Sequence, residues 1–398
     1  MAMTSRERFL KVFRGELPDR VPVTLFIQDQ GHFINQLYPE MDPWDFLNIQ
    51  LKVIEISRQM GADVMVRLLF GTLEPFQWMF FGGLNVQEST DTWEVHTEEV
   101  SEGRTTVRTS TVRTPKGTLS QEFSIDRIRP GTLMYACTKK PVHGREDLEI
   151  IREYEPKMPT DFPSRVAERV RPIREALGDD GIIGIWAPHG PFNMASLLID
   201  EQDLYALFYL DPECYADLME LSLERVRDYT RAVDAPGVDC LFIGGNVPGG
   251  FLGRKNYETY ILDYERRHIQ WAQARGTPAV YHNCGQIMNL VESYKQLGVA
   301  AVEPFSPPPQ LGDAELDKVK ALVGDAYVII GGVDQILAIQ NGTVDDVKRA
   351  TEWAMEMGKP GGRFILQNAD FLEYGTPIEN VEAFVQTAID HAWYETGG

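Results

Sequence analysis

Eight short apolar runs constrain the fold of this chain more than any other feature of its sequence. They occupy residues 20–27, 62–70, 181–188, 238–246, 278–285, 299–305, 327–334 and 363–370. Segments with the periodicity of amphipathic helices separate most of the runs. Nearly continuous apolar strands joined through helices are typical of a parallel sheet buried on both faces. Eight such strands predict an α/β fold of the (β/α)8 TIM-barrel type.

Helix-capping signals support the outer layer of this barrel. Thr4 followed by Glu7 predicts a capping box at the start of an N-terminal helix. Thr343 predicts the start of another helix, and Asn256 the start of a long helix that stops at Gly276. These helices would cover the outside of the predicted sheet.

One segment departs from the alternation of strands and helices. Residues 92–125 alternate polar and β-prone side chains, with turn signals at residues 102–103 and 115–117. We expect an antiparallel β meander there, inserted between the second and third barrel strands and lying beside the barrel. The chain has no repeat or low-complexity tract. We therefore predict a single barrel domain over residues 1–398 that contains the meander.

Charge and composition limit the partners of the protein. The 398 residues carry a formal net charge of -21. This excess of negative charge opposes binding to nucleic-acid phosphates and to anionic lipid, so we expect neither partner. No run reaches the roughly 18 to 20 apolar residues of a membrane-spanning helix, and the N-terminus lacks a signal-peptide core. We expect a cytoplasmic protein with reduced cysteines, and we consider a homodimer as its oligomeric form.

Polar and aromatic side chains cluster where the predicted strands end. In a (β/α)8 barrel the active site is built at these carboxyl ends. We predict Asp29, His189 and Glu303 as catalytic residues. The predicted substrate-binding residues are Gln28, Trp186, Phe192, Asn193 and Asn246. Arg67, within the second run, either pairs with an acidic neighbour or holds a substrate carboxylate.

The fifth predicted strand ends with His282 and Cys284, two residues apart. Residues i and i+2 of an extended segment point the same way, about 6.5 Å apart, so both can reach one metal ion. Zinc binds imidazole nitrogen and thiolate sulfur. Glu303 and Asp370, at the ends of the sixth and eighth strands, are the candidate oxygen ligands. Spacing alone leaves a second interpretation open, because cysteine and histidine also occur as ordinary buried core residues.

Several enzyme signatures are missing from the sequence. It contains no G-x-x-x-x-G-K-[ST] phosphate loop, no G-x-G-x-x-G after a strand and no G-x-S-x-G elbow. Kinase, dehydrogenase and serine-hydrolase functions are disfavoured as a result. On the helix predicted after Asn256, His268 lies near Glu265 and Arg267, and we expect a solvated helix face there.

Four longer stretches resemble one known family. They are TSRERFLKVFRGELPDRVPV at residues 4–23, YHNCG at 281–285, IIGGVDQ at 329–335 and GGRFILQNADFLEYGTPIENVEAF at 361–384. In combination these stretches are similar to the uroporphyrinogen decarboxylase superfamily, and the resemblance runs over nearly the whole chain. It implies a (β/α)8 barrel, which the strand pattern predicts independently.

The superfamily contains two main chemistries, and the chain resembles the second. Porphyrinogen decarboxylases carry an R-Q-A-G-R loop after the first strand that holds substrate carboxylates. This chain has QDQGHF at residues 28–33, without an arginine. The other branch consists of zinc methyltransferases that work with a corrinoid protein, including O-demethylases, and that carry an H-x-C motif.

The resemblance places His282 and Cys284 on the first two zinc ligands and Asp370 on the usual third, which is a cysteine in the family. Glu303 stays open as an alternative third ligand. We therefore expect Zn2+ and the transfer of a methyl group from a small methoxylated substrate of the aromatic class to a corrinoid (cobalamin). The corrinoid should be carried by a separate protein, because the chain has no D-x-H-x-x-G cobalamin motif. The alternatives are methyl transfer from a methylcorrinoid protein to tetrahydrofolate or a thiol, and a decarboxylase-like lyase.

Overall fold

The structure is a computed structural model that describes residues 3–27, 32–42, 45–69, 83–129, 132–187, 189–309 and 312–395. Numbered along these residues, the strands are β1 Val23–Thr24, β2 Val64–Leu68, β3 Glu94–Glu102, β4 Thr105–Thr114, β5 Gly117–Arg129, β6 Thr132–Lys139, β7 Gly181–Ala187, β8 Cys240–Gly244, β9 Ala279–His282, β10 Ala301–Phe305, β11 Val328–Val333 and β12 Phe364–Asn368. Eight of them form one sheet in the order β1-β12-β11-β10-β9-β8-β7-β2. Each corresponds to one of the eight predicted apolar runs, so the strand prediction is confirmed.

Asp63, the residue before β2, brings the two edge strands of this sheet together. Its backbone N–H donates to the carbonyl oxygen of Val23 at 2.7 Å. In return, the backbone N–H of Val23 donates to Oδ2 of Asp63 at 2.9 Å. Since β1 and β2 are the outer strands of the eight-stranded sheet, these bonds curve it into a near-closed barrel. The predicted TIM-barrel fold is confirmed.

Helices follow most of the barrel strands and cover the outside of the sheet. They are α1 Ser5–Phe13, α2 Phe33–Leu37, α3 Phe46–Met60, α4 Arg145–Tyr154, α5 Phe162–Leu177, α6 Pro191–Leu198, α7 Glu201–Leu210, α8 Pro212–Val233, α9 Gly249–Asn256, α10 Leu262–Gln273, α11 Leu316–Val323, α12 Val344–Gly358 and α13 Ile378–Ala392. Tyr257–Ile261 and Gln335–Gln340 are π-helical, and Ser293–Leu297 is a 3-10 helix. The predicted capping box of Thr4 with Glu7 is present, and Thr343 forms another with Asp346.

Helix α1 closes the amino-terminal end of the barrel. Its Phe9 and Val12 are fully or almost fully buried and join a cluster of inward-facing strand residues that includes Met65, Ile182 and Val328. Those strand residues lie near the starts of their strands. Apolar packing therefore fills the centre of this end, and the polar side chains considered for the site lie at the opposite end, where the strands finish.

The inserted β meander is longer than the sequence analysis predicts. Strands β3 to β6 form a separate four-stranded antiparallel sheet between β2 and β7. The predicted segment, 92–125, covers three of these strands, whereas the sheet continues through Lys139. The last strand was missed because TLMYACTK has no strict alternation of apolar and polar residues. It pairs with β5 through a register with two irregularities.

A buried ion network lies at the amino-terminal end of the barrel. Asp63 is fully buried and accepts from Nη1 of Arg8 at 2.6 Å and from Nη1 of Arg20 at 2.6 Å. Arg8 also donates through Nε to Asp19 at 2.7 Å. Because this end lies opposite the strand ends, we assign the network to stability.

Two further sequence predictions concern the helices. No helix among the described residues is both long and apolar enough to cross a membrane. His268, predicted on a solvated helix face, is fully buried, and its Nε2 lies 3.3 Å from Oγ1 of Thr230. That prediction was wrong because α10 packs against α8, and a charged sequence neighbourhood does not show which helix face meets another helix.

Candidate active site

His282 and Glu303 face each other across two neighbouring strands. The parallel pairing of β9 with β10 sets His282 opposite Glu303. Nδ1 of His282 lies 3.0 Å from Oε1 of Glu303. Glu303 is fully buried, and His282 is 7% exposed. The strand register therefore produces a buried histidine–carboxylate pair at the carboxyl end of the barrel.

Arg67 holds the carboxylate of Glu303 from the other side. Its Nη1 donates to Oε1 at 2.7 Å and its Nη2 to Oε2 at 2.6 Å, which is a bidentate arrangement. Nη2 also donates to Oε1 of Gln367 at 2.6 Å. The guanidinium lies 3.9 Å from the ring centroid of Phe26 and 4.3 Å from that of Phe242. The predicted pairing of Arg67 with an acidic residue is what the structure contains, and the partner is Glu303.

These contacts change the acidity of both members of the histidine–carboxylate pair. Burial raises the pKa of Glu303, but the charge and hydrogen bonds of Arg67, together with His282, lower it well below its usual range. Burial lowers the pKa of His282, but hydrogen bonds with Cys284 and Glu303 raise it to about 10. Glu303 is therefore held as a carboxylate, and its negative charge favours a positive partner at His282.

Trp186 forms an aromatic wall beside the histidine. Its ring lies edge-on to the ring of His282, with a centroid distance of 4.8 Å. The indole also stacks on the ring of Phe242, with a centroid distance of 5.3 Å. Trp186 is the penultimate residue of β7 and is partly buried. Packing therefore holds the side chain in place at the mouth of the barrel. This position suits the predicted role in substrate binding.

Cys284 lies two residues beyond the end of β9 and is exposed. Its Sγ is 4.0 Å from Oδ1 of Asn246, which follows β8. Asn246 has a φ of 42°, a left-handed conformation that is uncommon outside glycine. The structure thus brings together three of the predicted site residues, His282, Cys284 and Asn246, at one place on the barrel mouth.

The turn after β7 carries three further predicted residues. His189 is 8% exposed and also has a left-handed backbone, with a φ of 59°. Oδ1 of Asn193 is buried and has no hydrogen-bond partner among the described residues. Phe192 is buried, and its ring packs against Tyr205 and Phe208. The ring of Phe192 therefore supports the wall of the site, while its predicted substrate contact stays a prediction.

Asp370, the predicted oxygen ligand, follows β12. Its Oδ1 accepts from the backbone N–H of Phe371 at 2.8 Å, and its own N–H donates to Gln335 at 3.0 Å. Burial raises the pKa of Asp370, and the charge of His282 acts in the opposite direction. Asp370 follows β12 and His282 ends β9, so both residues lie at the carboxyl end of the barrel. Gln28 and Asp29, also predicted for the site, lie outside the described residues.

The donor set at the barrel mouth meets the needs of a zinc ion in part. Within the described ranges, no three His, Cys, Asp and Glu side chains are already gathered to hold a metal. Two donors lie near each other, since Cys284 is among the groups that raise the pKa of His282. Both oxygens of Glu303 are engaged by Arg67, and Oε1 also by His282. His282, at the end of β9, and Cys284, two residues beyond it, fit a zinc site, with Glu303 behind the histidine.

Sequence reasoning missed one residue near this site. Glu265, on α10, is fully buried, and its Oε1 accepts from the backbone N–H of Phe192 at 3.4 Å. Burial raises the pKa of Glu265 to about 8. No sequence signal distinguishes it from the surface carboxylates of a helix, because its burial depends on how α10 packs against α6 and the barrel.

Comparisons with known proteins agree with this architecture. A protein-family model described as uroporphyrinogen decarboxylase (URO-D) matches residues 131–391. The solved structure of a methyltransferase from Methanosarcina mazei has a TM-score of 0.68 at 17% sequence identity, covering 98% of this chain and 99% of that chain. The likeness to this structure shows a shared fold.

Curated relatives include both chemistries of the superfamily. Methylcobamide:CoM methyltransferase MtbA of Methanosarcina mazei is 23% identical over 298 residues, which cover 73% of this chain and 83% of that protein. The methylated-thiol–coenzyme M methyltransferase of the same organism is 24% identical and covers 49% of this chain, with half of that protein's length (50%) aligned. A uroporphyrinogen decarboxylase of Geobacter sp. (strain M21) is 28% identical, covering 56% of this chain and 63% of that protein. Because the family model matches more than half of the chain, the protein belongs to the uroporphyrinogen decarboxylase family.

Proposed function

We propose that the protein is a zinc-dependent methyltransferase of the O-demethylase type. It moves a methyl group from a small methoxylated, aromatic substrate to the cobalt of a separate corrinoid protein. One observation carries the proposal: His282 lies beside Cys284 at the barrel mouth, and the carboxylate of Glu303 orients the imidazole. A histidine that turns one ring N–H toward a carboxylate is the recurring arrangement of zinc-binding histidines.

The imidazole of His282 is oriented for metal binding through Nε2. The carboxylate of Glu303 only accepts hydrogen bonds, so Nδ1 of His282 carries the proton between them. Nε2 is then the ring nitrogen left to donate a lone pair, and Cys284 supplies a thiolate beside it. A zinc ion bound there supplies a Lewis acid that polarises the oxygen bearing the methyl group. Metal binding would compete with a proton on the imidazole of His282, whose pKa is raised to about 10, so metal affinity should rise with pH.

Asp370 is our candidate for the third protein ligand. Glu303 is poorly suited to this position because Arg67 already occupies both of its carboxylate oxygens. Oδ1 of Asp370 accepts one backbone hydrogen bond, and the charge of His282 acts to lower the pKa of the carboxyl group. A ligand set of nitrogen, sulfur and oxygen is harder than one with two thiolates, which favours an oxygen-linked methyl donor over a thioether.

The remaining mouth residues enclose and orient the substrate. Trp186 offers a flat aromatic face next to His282 and so fits an aromatic ring. Asn193 has a buried acceptor, Oδ1, that finds no partner in the part of the chain that the structure describes, and Asn246 lies next to Cys284. We assign His189, with Asp29, to proton transfer to the phenolate oxygen that leaves when its bond to the methyl carbon breaks.

The relatives support a corrinoid partner. The relatives named methylcobamide:CoM methyltransferase and methylated-thiol–coenzyme M methyltransferase both transfer methyl groups, and the first name includes the corrinoid. The first name also supports a second candidate, in which the methyl group passes from a methylcorrinoid protein to a thiol, with tetrahydrofolate as the alternative acceptor. A lyase activity like that of the decarboxylase relatives is less well supported, because Arg67 is occupied by Glu303 and is not available for a substrate carboxylate.

One experiment separates these functions. The zinc-loaded protein is incubated with cob(I)alamin and 2-methoxyphenol, and methylcobalamin and the demethylated phenol are measured. A second reaction contains methylcobalamin with 2-mercaptoethanol or tetrahydrofolate, and a third contains uroporphyrinogen without corrinoid. We expect equal amounts of the two products in the first reaction and none with His282→Ala. Activity only in the second reaction would support the methylcorrinoid-to-acceptor function, and activity only in the third would establish a lyase.

A further inference from the structure

A buried carboxyl group lies next to the turn that carries His189. Glu265 is fully buried on α10, on the outer side of the barrel wall. A Cβ placed on Gly190 would lie 2.6 Å from Oε1 of Glu265, closer than van der Waals contact permits. The carboxyl group therefore fills the space that a side chain at position 190 would need.

The same carboxyl group satisfies the start of helix α6. The first N–H groups of a helix have no partner within the helix. Gly190, at the N-cap position of α6, has no side chain that could accept from them. Oε1 of Glu265 accepts from the N–H of Phe192, in the first turn, at 3.4 Å. Glu265 thus acts as a cap from a distant helix.

The turn held in this way is strained and lies at the site. His189 adopts a left-handed backbone, which residues other than glycine keep only when their surroundings impose it. Gly190 is anchored on two sides, through a backbone hydrogen bond to the carbonyl oxygen of Gly244 and through its contact with Glu265. Gly244 ends β8, two residues before Asn246. The position of His189 is therefore fixed by contacts of the next residue.

We propose that Glu265 is a positioning residue of the active site: it holds Gly190 and the first turn of α6 so that His189 keeps its place at the barrel mouth. The catalytic consequence rests on the proposed methyl transfer, whereas the positional consequence does not. Burial holds the carboxyl largely in its neutral form near pH 7, since it raises the pKa to about 8. A neutral carboxyl in this space explains why the chain tolerates an acid there without a cationic partner among the described residues.

The contact with Gly190 makes a rescue test available. Gly190 has a φ of -86° and a ψ of 170°, which alanine adopts without strain. The three atoms nearest to a Cβ at position 190 all belong to Glu265, so this side chain is the first obstacle to Gly190→Ala. We expect Gly190→Ala and Glu265→Ala each to raise hydrogen exchange in residues 189–194 by about tenfold, the effect of losing one buried hydrogen bond or close contact. The double variant should exchange no faster than either single variant, because the new methyl group fills the space left by the carboxyl.

Two further variants separate positioning from loss of stability. Glu265→Gln keeps the shape and the acceptor, so its exchange in 189–194 should match the wild type. His268→Ala removes an equally buried side chain from the same helix that contacts Thr230 instead of the turn. It should lower Tm and leave exchange in 189–194 unchanged. The meander, residues 94–139, serves as an internal reference in every variant.

Kinetics test the catalytic consequence. With 2-methoxyphenol and cob(I)alamin, kcat/KM should fall about tenfold in Glu265→Ala and stay within about twofold of wild type in Glu265→Gln and His268→Ala. Unchanged exchange in residues 189–194 of Glu265→Ala would overturn the proposal, as would additive effects in the double variant. If the exchange results hold while the wild type transfers no methyl group, the proposed function fails and the positioning role stands.

Discussion

Oε1 of Glu303 lies 3.0 Å from Nδ1 of His282, and the same carboxylate is held through both oxygens by Arg67. The three side chains come from β10, β9 and β2 and form a continuous buried chain of charged hydrogen bonds. Because Arg67 is itself enclosed by Phe26 and Phe242, the carboxylate has little freedom to move. The orientation of the imidazole is therefore set from beneath, by the interior of the barrel.

Glu303→Gln should weaken zinc binding by roughly 10- to 100-fold, the usual effect of losing a carboxylate behind a histidine ligand. The amide keeps the size of the side chain but loses its charge. A competition titration with a zinc chelator measures the affinity. Glu220→Gln, which alters an ion pair with Arg267 on the outer helices, is the matched control and should bind zinc as the wild type does. Equal affinities for the two variants would contradict the arrangement we propose.

His282→Ala and Cys284→Ser should each reduce the bound zinc to less than about half an equivalent, because a site with three protein ligands does not survive the loss of one. Metal analysis of the purified variants provides the measurement. Cys137→Ser is a suitable control, since that cysteine lies in the meander. Asp370→Ala should lose bound zinc to the same extent as His282→Ala and Cys284→Ser. Full zinc occupancy in Asp370→Ala would show that the third ligand lies elsewhere.

The stability of the protein should depend on pH through Glu265. The pKa of this group is raised from the usual range to about 8 in the folded state. The folded state therefore binds more protons than the unfolded state between about pH 4.5 and pH 8, and the free energy of unfolding falls as pH rises through this window. The contribution of one group reaches roughly 1.4 kcal/mol per pH unit.

Urea denaturation at several pH values tests this dependence. In Glu265→Gln the group cannot ionise, so the decline of the free energy of unfolding between pH 5 and pH 8 should be smaller than in the wild type by about 1 kcal/mol per unit. Other titrating groups are common to both proteins and cancel in the difference. Parallel curves for the two proteins would show that Glu265 is not protonated in the folded state.

Asp63→Ala should destabilise the fold by about 3–5 kcal/mol, because it leaves two buried arginines without their shared partner. Asp63 accepts from Arg8 and Arg20, and it also links β1 to β2. Since this network lies at the amino-terminal end of the barrel, zinc affinity should be unchanged at temperatures where the variant is folded. A variant with normal stability and weakened zinc binding would contradict both assignments.

The periodicity of the chain determines its architecture to a large extent. Eight apolar runs of strand length, separated by helical patterns, predicted each barrel strand, because burial of both sheet faces demands nearly continuous apolar residues. The meander was recognised from its alternation, although its last strand, Thr132–Lys139, lacks this pattern and was missed. The family was evident from motifs at both ends of the chain.

The candidate site was predictable only in part. Residues at strand ends, such as His282 and Cys284, could be assigned to the barrel mouth because parallel strands all finish at the same end. The partners of those residues could not be assigned. Whether Glu303 faces a metal or a histidine depends on the register between β9 and β10 and on the reach of Arg67 from β2.

By itself, the sequence determined the barrel, the inserted meander and the end at which the polar residues gather, because each of these follows from a pattern of neighbouring residues. Only the tertiary structure decided which charges meet. Arg67 and Glu303 are separated by 236 positions in the chain, and Glu265 by 73 from the N–H that it caps. Such pairs depend on strand register and helix packing, which no local pattern encodes, and they are what orients the histidine and the turn of the site.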